Sequence, residues 1–315
     1  MSTKIAYCFD KNYANYAAVS TYSALINTNK QAKAYWIIPK EDQLSAEMAK
    51  NYFSAEFKSN IEIVPAESKL FSQWKECCHF TRGMYLRLLL PQLLAEEKVL
   101  YMDADTIVQN NVDELFQLEL GEHFIGGILD AGGQHSRIPR VLNDPYINSG
   151  VMLMNLGAMR QDHSLEKSVS IYERYHNDTA WPDQCVINKY AEGKKKILHQ
   201  KWNRLLFANS LTENQFNQYI HKNQTSIVHF VGSIKPWHKW CNPAATKFWL
   251  GVATKLKKNA FQIKEIDTLE HALIHAQTLD MNKKFEESSL IKGNIIGQLL
   301  KVVDSHQPAQ SPTAP

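Results

Sequence analysis

The stretch KVLYMDADTIV, residues 98–108, decides the fold class. It is an apolar run broken only by Asp103 and Asp105, which stand one residue apart. Such a run predicts a strand buried in a sheet, and charge at the end of a buried strand is costly unless a cation compensates it. In open α/β sheets, ligands collect at the carboxyl ends of the strands. We therefore predict that the two aspartates border a ligand-binding crevice.

Asp103 and Asp105 are also of the residue type that binds hard divalent cations. Side chains at i and i+2 of an extended strand project from the same side, so this spacing predicts that both carboxylates converge on one ion. An Asp-x-Asp pattern is weak evidence by itself, and two ordinary turn residues are the alternative. The buried strand before them favours binding of a metal and a diphosphate.

The segments on either side of this strand alternate between strand-like and helix-like patterns. Strands are predicted at 3–9, 34–39, 61–65, 123–130, 147–155 and 226–232. Helices are predicted at 12–27, at 45–57 with Ser45 as its cap, at 82–95 with an end or kink at Pro91, at 157–177 and at 183–192. This alternation predicts the α/β class, with a mixed, mostly parallel sheet and helices on both faces.

The bulk properties exclude several classes of protein. A length of 315 residues fits one large α/β domain with an appendage, and a net charge of +3 is too small to indicate a nucleic-acid partner. No apolar run reaches the roughly 18 residues that span a membrane, and the start has no signal-peptide pattern, so we expect a cytoplasmic protein. The cysteines lack CxxC spacing and are expected to be reduced thiols: Cys8, Cys77, Cys78, Cys185 and Cys241.

The segment HFVGSIKPWH, residues 229–238, is a second candidate for chemistry. His229 ends an apolar strand and can add a nitrogen ligand to a shell of carboxylate oxygens. Gly232 permits a turn with free backbone donors, and Lys235 supplies a point charge for phosphate oxygens. A lone histidine or GxxK pattern would be unspecific, but the combination complements the paired aspartates.

With these motifs the chain resembles glycosyltransferase family 8, which includes bacterial lipooligosaccharide and lipopolysaccharide galactosyl- and glucosyltransferases and glycogenin. The resemblance covers about residues 3–240 and rests on motifs in the same order: FDKNYANY (9–16), YLRLLL (85–90), VLYMDADTIV (99–108), INSGVMLMNL (147–156), PDQCVIN (182–188) and HFVGSIKPWH (229–238). It implies a GT-A fold, a single Rossmann-like nucleotide-binding domain, and Mn²⁺ as the metal, with Mg²⁺ as the alternative. The metal ligands would be Asp103, Asp105 and His229.

The domain organisation follows from the same resemblance. We expect a GT-A catalytic domain over 1–242, a helical and more basic region over 243–304, and a disordered tail over 305–315. The apolar and basic segment 289–303 has two interpretations. Its helices are either solvated and packed on the domain or attached peripherally to an anionic membrane surface, because apolar residues and lysines can share a surface-lying helix.

The resemblance also implies which residues bind the donor. Asp10, Asn12 and Tyr13 would hold the uracil and ribose, the carboxylate accepting from the uracil N3–H and the ring covering the base. Capping of the first helix is the structural alternative for Asp10 and Asn12. Arg87 would lie near the diphosphate or the sugar hydroxyls, with an acidic partner as the alternative. Further donor contacts are implied for Cys8, Asp103, Ala104, Asp105, Asn148, Gly232 and Lys235.

Asp183 and Gln184 are the implied centre of catalysis, together with Asp130. In this family the matching Asp-Gln dipeptide sits beside the anomeric carbon, with the glutamine opposite the departing UDP and the aspartate binding sugar hydroxyls. A helix that starts at PDQ is the structural alternative. Asp130 and Asn148 resemble family positions that grip the donor sugar and border the acceptor.

The expected function is transfer of galactose or glucose from a UDP-sugar to a saccharide or glycolipid acceptor, with retention of configuration. The neutral amide of Gln184 is a poor nucleophile, so we expect attack on the face that UDP leaves rather than a covalent intermediate. The expected acceptor is a lipopolysaccharide or lipooligosaccharide core at the inner membrane face. Two alternatives stay open: a non-catalytic UDP-sugar-binding protein and a sugar-1-phosphate nucleotidyltransferase. A nucleotidyltransferase usually has a glycine-rich loop after its first strand, and the segment FDKNYANY at that place contains no glycine.

Overall fold

The computed structural model of the chain describes residues 2–29, 31–76, 81–221 and 224–305. Cys77 and Cys78 lie outside the described residues, and so does the predicted disordered tail from residue 306 onwards. Ser305, the first residue of the predicted tail, is the last residue of a helix. The other three cysteines, Cys8, Cys185 and Cys241, are buried and free.

The first part of the chain has the predicted succession of strands and helices. It contains β1 (Lys4–Cys8), α1 (Ala14–Ile26), β2 (Lys33–Pro39), α2 (Gln43–Lys50), α3 (Ala55–Lys58) and β3 (Ile61–Ala66). The single helix predicted over 45–57 is wrong, because α2 begins before Ser45 and the chain breaks between α2 and α3. The break carries Phe53 into the core, where its ring packs edge-on against Trp36.

The segment before the aspartates also differs from the prediction. Residues Arg82–Leu89 form a 3₁₀ helix, which continues into the short α4 (Leu90–Leu93). Pro91 does not end a helix but lies in the first turn of α4, where a backbone N–H has no intrahelical acceptor and its absence is therefore tolerated.

The apolar run around the aspartates forms two strands instead of one. β4 (Lys98–Met102) and β5 (Thr106–Val108) lie in different sheets, and Ala104 and Asp105 form the turn between them. The Asp103 N–H donates to the Gly150 carbonyl oxygen at 2.7 Å, after which the chain turns away. The two carboxylates therefore converge from a turn and not from one side of an extended strand, which corrects the prediction.

The remaining elements complete two sheets. They are α5 (Asp113–Gln117), β6 (Ile125–Gly127), β7 (Val151–Asn155), α6 (Leu156–Gln161), α7 (Ser164–Tyr175), α8 (Pro182–Tyr190), β8 (Lys195–Ile197), β9 (Arg204–Leu205), α9 (Glu213–His221) and β10 (Ile227–His229). The predicted helix 157–177 is interrupted before α7 at His163, whose φ of 54° is left-handed. The predicted strands 123–130, 147–155 and 226–232 are present but shorter.

The larger sheet has seven strands in the order β3-β2-β1-β4-β7-β6-β8. Its first four strands are parallel, β7 runs antiparallel to both of its neighbours, and β6 is parallel to β8. The smaller sheet has the order β5-β10-β9. The predicted α/β class with a mixed, mostly parallel sheet is confirmed.

Apolar cores lie on both faces of the larger sheet. Ile5 and Tyr7 of β1 pack in one core and Ala6 and Cys8 in the other, because successive side chains of a strand point to opposite faces. The sheet is thus buried on both sides, and its strand ends are the accessible part.

Three helices follow the sheets: α10 (Pro243–Leu256), α11 (Leu269–Met281) and α12 (Phe285–Ser305). α10 packs on α1 and buries Trp249 in the first core, whereas α11 and α12 pack mainly on each other. Among the described residues, none of the helices combines the length and the apolarity needed to cross a bilayer. The domain boundary at residue 242 stays a prediction.

Candidate active site

A cavity of about 570 Å³ opens at the carboxyl ends of β1, β4 and β10. It is lined by every predicted site residue except Asn12: Cys8, Asp10, Tyr13, Arg87, Asp103, Ala104, Asp105, Asp130, Asn148, Asp183, Gln184, His229, Gly232 and Lys235. Asn12 is exposed, and its backbone N–H donates to Asp10 Oδ1 at 2.8 Å. This bond closes a local turn and does not cap the first helix, because α1 begins at Ala14 with Tyr13 before it and without a side-chain capping bond. The capping alternative for Asp10 and Asn12 is therefore wrong, and the structure does not bring the Asn12 side chain into the cavity.

Asp103, Asp105 and His229 form one cluster within this cavity. Each offers a ligand atom, and these atoms lie within 4.8 Å of one another. His229 Nε2 lies 3.2 Å from Asp105 Oδ1 and 3.8 Å from Asp103 Oδ2. Asp105 Oδ1 is buried and has no hydrogen-bond partner among the described residues, which is costly unless a cation is bound there. Two carboxylates and an imidazole nitrogen fit a divalent ion such as Mn²⁺.

The second oxygen of each aspartate is held by a buried cation. Lys235 Nζ donates to Asp105 Oδ2 at 2.5 Å and to the Phe230 carbonyl oxygen at 2.8 Å. Burial raises the pKa of Asp105, but Lys235 and then His229 outweigh it and hold that pKa well below its usual range. Asp103 Oδ1 accepts from Arg87 Nη2 at 2.8 Å. Both aspartates thus have one oxygen paired with a cation and point the other oxygen towards His229.

Arg87 connects the metal-ligand cluster to the predicted catalytic dipeptide. Its Nη1 lies 3.1 Å from Asp183 Oδ2, and its Nε donates to the Met84 carbonyl oxygen at 2.9 Å. Burial lowers the pKa of Arg87, but Asp103, Tyr101 and Asp183 together outweigh burial and raise that pKa. Burial raises the pKa of Asp183, which Arg87 offsets only in part. The acidic partners proposed as the alternative role of Arg87 are therefore present, and both line the cavity.

The sugar-side residues form a hydrogen-bond network around Asp130. Asp130 Oδ2 accepts from Asn148 Nδ2 at 3.0 Å and from Gln184 Nε2 at 3.1 Å. Gln184 Oε1 accepts from the Ser149 N–H at 2.9 Å. α8 begins at Pro182, so Gln184 lies in the first turn of a helix and also lines the cavity. The structural alternative and the predicted site position are therefore both correct for this residue.

Two glycines give the site its shape. A Cβ on Gly150 would lie 2.1 Å from His229 Cε1 and 2.8 Å from Asp103 Oδ2, so only glycine permits this approach. Gly232 has a φ of 86°, in the left-handed region that glycine adopts without strain. The predicted turn before Lys235 is therefore present.

Several residues of this site were not predicted from the sequence. Ser149 is the middle residue of the NSG motif and Trp181 directly precedes the PDQ motif, so these motifs could have revealed both residues. Trp181 closes over Gly132, where a Cβ would meet its Cη2 at 3.0 Å. Phe207 lines the cavity although its side chain is 61% exposed. Asn203 is fully buried and pairs with His229, yet it carries no local pattern.

The model of glycosyl transferase family 8 matches residues 4–241. The chain belongs to glycosyltransferase family 8. The match confirms the resemblance, and it disfavours the nucleotidyltransferase alternative. The lipopolysaccharide 1,2-glucosyltransferase of Escherichia coli K12 is 27% identical to this family 8 chain over 258 residues, which cover 78% of the chain and 75% of that protein. The lipopolysaccharide 1,3-galactosyltransferase of Salmonella typhimurium LT2 is 24% identical over 263 residues, which cover 78% of this chain and 76% of that protein.

A solved structure supports the same fold. The galactosyltransferase LgtC, solved in complex with donor and acceptor sugar analogues, superposes on this family 8 glycosyltransferase with a TM-score of 0.70 at 21% identity. The match covers 81% of this chain and 96% of that one. The predicted GT-A fold with C-terminal helices is confirmed.

Proposed function

We propose that this family 8 chain transfers glucose or galactose from a UDP-sugar to a saccharide of a lipopolysaccharide or lipooligosaccharide core, with retention of configuration. The observation that carries the proposal is the cluster of Asp103, Asp105 and His229 in a cavity of about 570 Å³, a volume in the range of cofactor sites. The named activities of the Escherichia coli and Salmonella relatives support the acceptor class.

Charge balance supports a divalent ion at this cluster. Five carboxylates line the cavity, those of Asp10, Asp103, Asp105, Asp130 and Asp183, against the two cations Arg87 and Lys235. Mn²⁺, or Mg²⁺ in its place, would offset most of this excess negative charge and, when bound, stabilise negative charge on the departing diphosphate. The Lys235 ammonium has three donor hydrogens and uses two of them within the protein, so one remains for a phosphate oxygen.

The nucleoside would bind at the end of β1. Asp10 Oδ1 accepts from the Asn12 N–H, which leaves Oδ2 to accept from the uracil N3–H. The Tyr13 ring packs edge-on against Trp237 with centroids 6.3 Å apart, so it offers a fixed surface to the base. Burial, then Asp105, raises the pKa of Tyr13, which keeps its hydroxyl protonated as a donor.

The sugar would lie between Asp130 and Asp183, whose carboxylates accept from its hydroxyls. Gln184 Oε1 accepts from both the N–H and the hydroxyl of Ser149, which occupies its two lone pairs, and Nε2 donates to Asp130. The amide is therefore not free to act as a nucleophile. We favour a same-face mechanism: the bond from the anomeric carbon to the UDP oxygen breaks, and the acceptor hydroxyl bonds to the same face. Its proton passes to the phosphate oxygen that leaves.

The acceptor saccharide would bind at the cavity mouth. Trp181 and the exposed Phe207 both line the cavity, and His135 packs edge-on against Trp181 with centroids 5.7 Å apart. Aromatic rings of this kind offer an apolar surface to the C–H face of a sugar.

The decisive measurement is UDP release from UDP-glucose and UDP-galactose with Mn²⁺, with and without EDTA. We expect slow release without acceptor, abolished by EDTA and lowered about 100-fold or more in Asp103→Asn, because the ion contributes several kcal/mol to the transition state. Glu166→Gln is the matched control, because it removes one charge from the exposed face of α7.

The control variant should release UDP at the rate of the unaltered protein. Equal turnover in Asp103→Asn would refute the metal assignment. Absence of UDP release from every UDP-hexose in a wider panel would refute the donor class.

A further inference from the structure

His229 has two ring nitrogens in different surroundings. Nε2 faces the carboxylates, whereas Nδ1 lies 3.0 Å from Oδ1 of Asn203, a residue with no exposed surface. A metal ion binds only a nitrogen that carries a lone pair, so the position of the ring proton decides whether Nε2 is a ligand.

The direction of the hydrogen bonds next to Asn203 is fixed by groups with one possible role. The Asp130 carboxylate is an acceptor, so the atom of Asn148 that approaches it at 3.0 Å is the donor Nδ2. Asn148 Oδ1 therefore faces the other way, and there the Gly150 N–H, which can only donate, reaches it at 3.0 Å. Two independent anchors give Asn148 the same orientation.

The orientation of Asn148 then determines that of Asn203. Asn148 Oδ1 needs a donor, and Asn203 Nδ2 lies 2.9 Å from it. The oxygen of Asn203 must consequently face His229, and an amide oxygen only accepts. The ring proton is therefore on Nδ1.

We propose that Asn203 is a positioning residue that holds His229 with its proton on Nδ1 and its Nε2 lone pair aimed at the ion. The inference rests on the proposed function in so far as His229 binds the metal. Asn203 lies in the turn before β9. It is neither among the residues that line the cavity nor a member of the cluster of ion ligands. It also joins the metal ligand to Asp130 through Asn148, so the proposed sugar site and the ion site share one hydrogen-bond chain.

Two substitutions in the full chain separate positioning from packing. Asn203→Leu keeps a similar volume but removes the acceptor, and Asn203→Asp keeps an acceptor oxygen and removes the donor to Asn148. The first measurement is the ¹⁵N shift of His229 in metal-free protein at about pH 8.5, two units above the ordinary imidazole pKa. We expect a protonated Nδ1 in the unaltered protein and in Asn203→Asp, and a proton moved to Nε2 in Asn203→Leu.

The second measurement is Mn²⁺ affinity, from the electron paramagnetic resonance signal of free Mn²⁺. We expect Asn203→Leu to bind Mn²⁺ about 10- to 100-fold more weakly, as for loss of other partners of metal-ligating histidines. Asn203→Asp should stay close to the unaltered protein, and His229→Ala gives the affinity without the ligand.

The two measurements distinguish failure of the inference from failure of the proposed function. A protonated Nδ1 in Asn203→Leu, or equal weakening by the leucine and aspartate variants, would overturn the positioning role. If the unaltered protein bound no Mn²⁺, the proposed function would fail. The ¹⁵N shifts would still show whether Asn203 keeps the ring proton of His229 on Nδ1.

Discussion

At the scale of single residues, Gly150 sets how closely two ion ligands approach. Its missing side chain leaves the space that His229 Cε1 and Asp103 Oδ2 occupy, at 2.1 and 2.8 Å from an added Cβ. We expect Gly150→Ala to lower Mn²⁺-dependent UDP release by about 100-fold or more, because a misplaced catalytic group costs that much for a shift of about 1 Å. Mn²⁺ affinity should fall with it.

Gly251→Ala is the matched control for that substitution. Gly251 lies in α10, and apart from its own helix backbone no atom of the described residues lies within 4 Å of an added Cβ. Alanine should therefore stabilise the helix by up to about 1 kcal/mol and leave UDP release unchanged. Urea unfolding and the UDP assay check both variants, and normal turnover in Gly150→Ala would contradict our account of the site.

Sequence motifs identify the residues that line the cavity, but they do not identify the buried residues that hydrogen-bond to these and hold them in place. Asp103, Asp105 and His229 carry recognisable spacing and lie together. Asn203 lies 26 residues before His229 in a segment without a motif, and the parallel pairing of β9 with β10 in the smaller sheet brings them into contact. A buried amide in a turn has no periodicity, so its partner is not predictable from the sequence alone.

At the scale of elements, hydrophobic pattern predicts where strands exist but not where they change sheets. The run at 98–108 reads as one strand, and the break between β4 and β5 depends on a backbone hydrogen bond to Gly150, which is 47 residues from Asp103. Similarly, Pro91 occupies a helix start because a 3₁₀ helix precedes it. The first error thus arises from a long-range contact that overrides the local pattern, and the second from the neighbouring 3₁₀ helix.

The turn between β10 and α10 gives this family 8 fold a pH dependence. His238 Nδ1 accepts from the Lys235 N–H at 3.2 Å, which requires a neutral nitrogen. Burial, then Lys264 and Lys235, lowers the pKa of His238 from 6.5 to about 4. Between these values the unfolded chain binds a proton that the folded chain does not, so stability falls as pH falls below 6.5.

Because His238 is only partly buried, we expect a loss of about 1 kcal/mol from this residue between pH 6.5 and pH 5. Urea unfolding at the two pH values measures the loss, and His238→Gln should reduce it, since glutamine does not titrate. An unchanged difference in the variant would show that other groups cause the acid sensitivity.

At the scale of the whole molecule, the three last helices have two kinds of surroundings. Trp249 of α10 is 1% exposed within the first core, so α10 is part of the packed unit that carries the site. A hydrogen bond joins α11 to this packed unit: Asn209 Nδ2 donates to Oγ1 of Thr278, a residue of α11, at 2.9 Å. α12 packs on α11 and exposes much of its apolar surface.

We propose that α12 contacts an anionic membrane surface, which would bring the site to a glycolipid acceptor at the inner face. Ile296, Leu299 and Leu300 are 57%, 48% and 57% exposed, and their i, i+3, i+4 spacing puts them on one helix face. Replacing all three by glutamine should weaken co-sedimentation with anionic vesicles at least about tenfold, because it removes apolar area that would enter the bilayer. The matched control is Leu44→Gln with Met48→Gln, which removes exposed apolar side chains from α2 and should leave vesicle binding unchanged. If the α12 variant bound vesicles as tightly as the control, the solvated-helix interpretation would be correct, since the apolar face would then contribute nothing to attachment.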